Sequence, residues 1–90
     1  MNLNLSQIAN NFTSVNINGV RVWFSYETAI GFAFAGNIVV RQNVWGTTTG
    51  KHLNRIDGGD KTAKANRVGS DDFTEMLHLA MSSAFAPTAS

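Results

Sequence analysis

Apolar and polar residues alternate from Phe12 to about Arg41 and then recur at helical spacing, so the chain divides into a strand-like first half and a helix-like second half. Asn18-Gly19, flanked by Ile17 and Val20, is the two-residue turn whose twist suits a hairpin. Pairing outward from it sets Asn16 against Arg21, Val15 against Val22 and Ser14 against Trp23. One face then collects Val15, Ile17, Val20, Val22, Phe24 and Tyr26, and the other Ser14, Asn16, Arg21, Trp23 and Ser25. A second hairpin is predicted from Ile30-Gly31-Phe32-Ala33-Phe34, a Gly36-Asn37 turn and the return through Ile38-Val39-Val40-Arg41, with Glu27-Thr28 as the link. The product is a four-stranded antiparallel meander whose core face needs a lid.

The second half supplies that lid. Thr47 or Thr48 is predicted to cap a short helix that stops at Gly58-Gly59. Thr49, Leu53 and Ile56 share its inner face, and Lys51 and Arg55 lie one turn apart on its outer face, with His52 beside them. So short a helix is unstable alone and must dock, with Trp45 as a core anchor at its start. Residues 57–69 are expected to be a mobile, glycine-punctuated basic loop. Ser70 then caps a longer helix with Phe73, Met76, Leu77, Ala80, Met81 and Ala84 on its apolar face. Residues 1–11 are expected as a loosely ordered arm, residues 12–85 as a single α+β domain with both helices packed on one sheet face, and residues 86–90 as a frayed tail.

At 90 residues there is room for one core. Charged residues are 14% of the chain, well below the roughly 25% of ordinary domains, which excludes a polybasic arm or acidic tail. No cysteine is present, so a disulfide framework and a thiolate metal site are excluded. The N-terminus lacks the pattern of a signal peptide, and the apolar run Ile30 to Ala35 is too short to span a bilayer, so no membrane partner is expected. Charge is uneven although the net is only +1. Residues 41–68 carry Arg41, Lys51, Arg55, Lys61, Lys64 and Arg67 against Asp57 and Asp60, whereas residues 69–90 carry Asp71, Asp72 and Glu75.

Gly46-Thr47-Thr48-Thr49-Gly50-Lys51 resembles a phosphate loop, but a nucleotide-hydrolysing loop needs four residues between its glycines and Ser or Thr after the lysine. Here there are three, and His52 follows. Gly58-Gly59-Asp60-Lys61-Thr62 fails too, with Asp60 inserted before the lysine. A phosphate resting on the helix start remains compatible with its free N–H groups, its threonine hydroxyls and Lys51. His52 and His78 have no nucleophile, orienting acid or third metal ligand at telling spacing, so neither enzyme activity, metal nor cofactor is expected. Trp23, with Arg21 on the polar hairpin face, is suited to stack a base, anchor a partner or be covered by the arm or a second copy.

Val22-Trp23-Phe24-Ser25-Tyr26-Glu27-Thr28 followed by Val44-Trp45-Gly46-Thr47-Thr48-Thr49-Gly50-Lys51-His52-Leu53-Asn54 resembles a small protein family of tailed bacteriophages and prophages. Its pattern runs F-S-Y-x-T, a hairpin, then W-[GS]-x-T-T-x-[KR]-H-[LIF]-N, and the resemblance covers about residues 17–80. That family has no assigned activity. The resemblance implies a phage origin, action in the cytoplasm of an infected bacterial host, and Trp45, Thr48, Lys51, His52 and Asn54 as candidate functional residues. The chain departs from the pattern after Ile56, where the basic loop is longer.

Together these readings predict a non-catalytic module that touches nucleic-acid phosphates through Thr48, Lys51, His52, Asn54, Arg55, Lys61, Lys64 and Arg67. The alternative is a host-directed inhibitor of a bacterial protein, such as a defence nuclease, CRISPR effector or transcription regulator, with Arg21 and Trp23 on its contact surface. A homodimer with a role in virion structure or assembly is a third candidate.

Overall fold

The structure, a computed structural model, describes residues 3–85. The tail expected at 86–90 and the first two residues of the arm lie outside the described residues. Five strands, β1 (Leu3–Ala9), β2 (Phe12–Ile17), β3 (Val20–Ser25), β4 (Thr28–Phe34) and β5 (Asn37–Val40), form one antiparallel sheet in the order β1-β2-β3-β4-β5. Helices α1 (Thr47–Asp57), α2 (Lys61–Asn66) and α3 (Ser70–Ala84) follow. The α+β class and the meander stand, with a fifth strand and a third helix added. β1 takes the place of the expected arm, pairing Leu5 with Val15 and Asn4 with Asn16 along the open edge of β2.

The first hairpin has the predicted register, Val15 against Val22 and Ser14 against Trp23, around an Asn18-Gly19 turn with both residues at positive φ. The second turn falls at Ala35-Gly36, one residue earlier than predicted, and holds Ala35 at φ 52. Tyr26 leaves the expected core face. It sits in the β3–β4 turn at φ 57, with its N–H donating to the Asn11 carbonyl at 2.8 Å.

A bulge decides where the helices go. Trp23 pairs with Gly31 and Phe24 with Ala29, so Ile30 is an extra residue in β4. Ile30 and Gly31 therefore point to the same face, and Ile30 lies opposite Phe32. On one face Val20, Val22 and Phe32 pack under Phe73 and Ala80 of α3, where the Phe32 and Phe73 rings meet edge to face at 5.6 Å. On the other, Phe12, Ile30 and Val40 pack under Leu53 of α1. The helices thus cover opposite faces rather than one, because the bulge creates a second apolar surface. Gly31 makes room for α1, since a Cβ there would meet Ile56 Cδ1 at 3.2 Å.

Candidate functional site

α1 is fastened at three points. At its start Asn43 bridges the backbone, its Oδ1 accepting from Trp45 N at 3.0 Å and its Nδ2 donating to the Gly46 carbonyl at 3.2 Å. Gly46 is the N-cap, one residue before the predicted threonines, and no side chain caps the helix. At its end Gly58 takes the left-handed conformation at φ 88, the predicted stop, and its N–H donates to the Asn54 carbonyl. In between, the buried face comprises Thr49, His52 and Leu53.

His52 is thus not on the wet side. Its ring stacks on Phe12 at 4.7 Å and 6° between planes, and its Nδ1 lies 2.7 Å from Ser25 Oγ. Ser25 Oγ is also 3.0 Å from Thr49 Oγ1, closing a buried chain of three polar groups. Burial and then the nearby Arg55 charge lower the His52 pKa below the usual imidazole value, and a hydrogen bond to the Asn10 backbone opposes them. The arrangement is a serine beside a histidine, but Ser25 is only 2% exposed and hydrogen-bonded on both sides. No side-chain carboxylate bonds to the ring among the described residues.

Arg67 is the second correction. It is buried, with Nε and Nη2 donating to both Asp57 oxygens at 2.8 and 2.9 Å and Nη2 also donating to Asn54 Oδ1 at 3.1 Å. The Arg67 hydrogen bonds hold the Asp57 carboxyl below the usual carboxylate range. Arg67 and Asn54 therefore tie the end of α1 to the segment after α2; Arg67 is withdrawn from the surface, while Asn54 stays exposed with its Oδ1 engaged. That segment continues as a parallel bridge between Val68 and Arg41 on the edge of β5, with Val68 N donating to the Val40 carbonyl at 2.9 Å. Within the expected loop, residues 61–66 are helical because the Asp60 carboxylate caps α2, accepting from Ala63 N at 2.7 Å.

The remaining cations face outward. Thr48, Lys51, Arg55, Lys61 and Lys64 are exposed, and among the described residues none of these four cations joins an ion pair. Arg55 leans over the Phe12 ring at 5.8 Å. Arg21 is exposed on β3, whereas Trp23 is half-buried against the Phe12, Ile30, Val40 and Leu53 cluster, which Ile56 of α1 and Ile8 and Ala9 of β1 also pack against. The pairing of Trp23 with Gly31 places the indole beside the same gap that Ile56 fills.

Trp45 is not a core anchor. It is 41% exposed and rests on the guanidinium of Arg41 at 4.9 Å. Arg41 is itself fixed by the Ala29 carbonyl at 3.0 Å and Ser70 Oγ at 2.7 Å, and packs over Phe73 on its way. Trp45 forms one wall of a pocket of 200 Å³ with Ser25, Tyr26, Thr28, Ile30 and Thr49. Tyr26 and Ser25 are not among the site residues expected from the sequence. Both stand in the F-S-Y-x-T pattern, which offered the signal, but within the hairpin each looked like an ordinary position in an alternating strand.

Among the described residues no three His, Asp or Glu side chains gather as metal ligands, and no helix is long and apolar enough to cross a membrane. With this geometry in hand, comparison with known proteins gives one result. The chain belongs to a family of unknown function, DUF8033, whose profile matches residues 2–75. No curated protein and no solved structure matches it.

Proposed function

We propose that the protein is a small non-catalytic binding module of phage type that contacts nucleic-acid phosphates in the cytoplasm of an infected bacterial host. Lys51 and Arg55 on α1, with Lys61 and Lys64 on α2, form the contact surface, and Thr48 adds a hydroxyl at the start of α1. The observation that carries this reading is a division of labour among the cations. Arg41 and Arg67 are engaged inside the fold, while these four are left in solvent without acidic partners among the described residues. Phosphate contacts of this kind give affinity with little sequence preference. The likeness of residues 45–54 to a tailed-phage motif supports the phage setting.

The test is binding of labelled oligonucleotides across a salt series. Salt-sensitive binding that weakens in Lys51→Ala/Arg55→Ala is expected; its absence removes the reading. A host-directed inhibitor of a bacterial protein is the second reading. It is favoured by a largely apolar groove of 520 Å³ where Ile38 and Leu79 stand exposed between β5 and α3. Under that reading Leu79→Glu, and not the lysine variants, abolishes capture of the partner.

A further inference from the structure

The pocket at the start of α1 is not explained by phosphate contacts. We infer that it takes one unstacked nucleobase between Tyr26 and Trp45, so that the partner is a single strand. This inference rests on the phosphate-binding reading above. Ligand pockets for whole small molecules run to about 300–1,000 Å³. At 200 Å³ this one has room for a single planar ring system.

Its two aromatic walls are open to solvent. Tyr26 is 56% exposed and Trp45 41%. Trp45 lies against the Arg41 guanidinium, whose own hydrogen bonds hold it, so stacking would cost the indole little rotamer freedom. Tyr26 carries a local penalty, because its φ of 57 is a left-handed conformation that side chains rarely adopt. Of the other non-glycine turn residues at positive φ, Asn11 and Asn18 suit that conformation, while Ala35, like Tyr26, does not.

The floor is polar. Ser25, Thr28 and Thr49 bring hydroxyls to the pocket. The Ser25 and Thr49 hydroxyls are already bonded to each other, and Ser25 to His52, so of the three it is the Thr28 hydroxyl that can turn to meet a base edge. A base paired and stacked within a duplex offers no free face to the rings, whereas a single strand does. Thr49 on the floor and Lys51 on the outer side are two residues apart on α1, about 3 Å along its axis. Because they lie on opposite sides of the helix, the backbone of a strand with a seated base has to pass around the start of α1 to reach its cations.

The experiment measures anisotropy of labelled single-stranded DNA, single-stranded RNA and a duplex of equal length with the full chain. Trp45→Ala and Tyr26→Asn should each weaken single-strand binding by roughly tenfold or more and leave duplex binding unchanged. Trp45→Phe should retain most of the affinity. Lys51→Ala/Arg55→Ala should weaken all three ligands. If the ring variants bind single strands as the wild type does while the cation variant still loses affinity, the base pocket is overturned and the phosphate reading stands. If the wild type binds no oligonucleotide, both fall. Capture of an aromatic peptide side chain in place of a base would likewise overturn the inference. Both rings are exposed, and thermal unfolding of each variant checks that the fold is kept.

Discussion

The two helix-covered faces of the sheet are built differently. Under α3 the contacts are apolar, with Phe73 and Ala80 over Val20, Val22 and Phe32. Under α1 a smaller apolar cluster around Leu53 shares the interface with the Ser25, Thr49 and His52 chain. Apolar burial is non-directional, and α3 has 15 residues over which to collect it. α1 has 11, opens with three threonines, contains Gly50 and would be marginal alone. Directional polar bonds at its start, middle and end fix its position instead, as satisfied buried networks do. A weakly helical segment can thus be held firmly enough to present chemistry. The groups that hold it are then lost to the surface.

This contrast can be broken face by face. The largest effect is expected on the apolar side, where Phe73→Ala should cost about 3–5 kcal/mol of unfolding free energy in urea titrations. Arg67→Ala comes next at about 3 kcal/mol, because it leaves the Asp57 carboxylate half-enclosed and unpaired. Removing both partners, as Asp57→Asn/Arg67→Met, should cost less than Arg67→Ala, and a double-mutant cycle measures the difference.

A smaller effect is set by pH. The His52 pKa is lowered in the fold, so the unfolded chain takes up its proton first as pH falls. Stability from this residue is complete above the unfolded value of about 6.5 and declines below it until the folded value is passed. His52→Gln should flatten that part of the profile in stability measurements between pH 7 and 5. The smallest expected change is a gain. Ala35→Asn should stabilise by about 1 kcal/mol, since Ala35 occupies a left-handed turn position that asparagine tolerates better.

Much of the sheet was legible because local chemistry specified it. Asn18-Gly19 set one turn, and the turn set the register from Ile17–Val20 through Ser14–Trp23. β1 was not legible. Its short, uncharged sequence has no strong face of its own, and it becomes a strand because β2 offers an open edge. The Ile30 bulge was hidden by apparent alternation, and with it the second buried face. α2 has six residues, too few for periodicity to show, and its Asp60 cap looked like an interruption before a lysine.

At the site, the inner position of His52 could have been found. Thr49, His52, Leu53 and Ile56 have the i, i+3, i+4, i+7 spacing of one helix face. A neutral histidine belongs on such a face when a hydroxyl meets it. The partnership of Arg67 with Asp57 and the escape of Trp45 onto Arg41 depended on where distant segments pass, and no local pattern encodes that.

The central claim is that the outward cations of α1 are free to meet phosphate while the polar groups beneath them only fasten the helix. The salt dependence of single-strand binding tests it most directly, comparing wild type with Lys51→Ala/Arg55→Ala at equal thermal stability. Loss of two phosphate contacts should lower the slope of log affinity against log salt by about 1.5. An unchanged slope would contradict the claim.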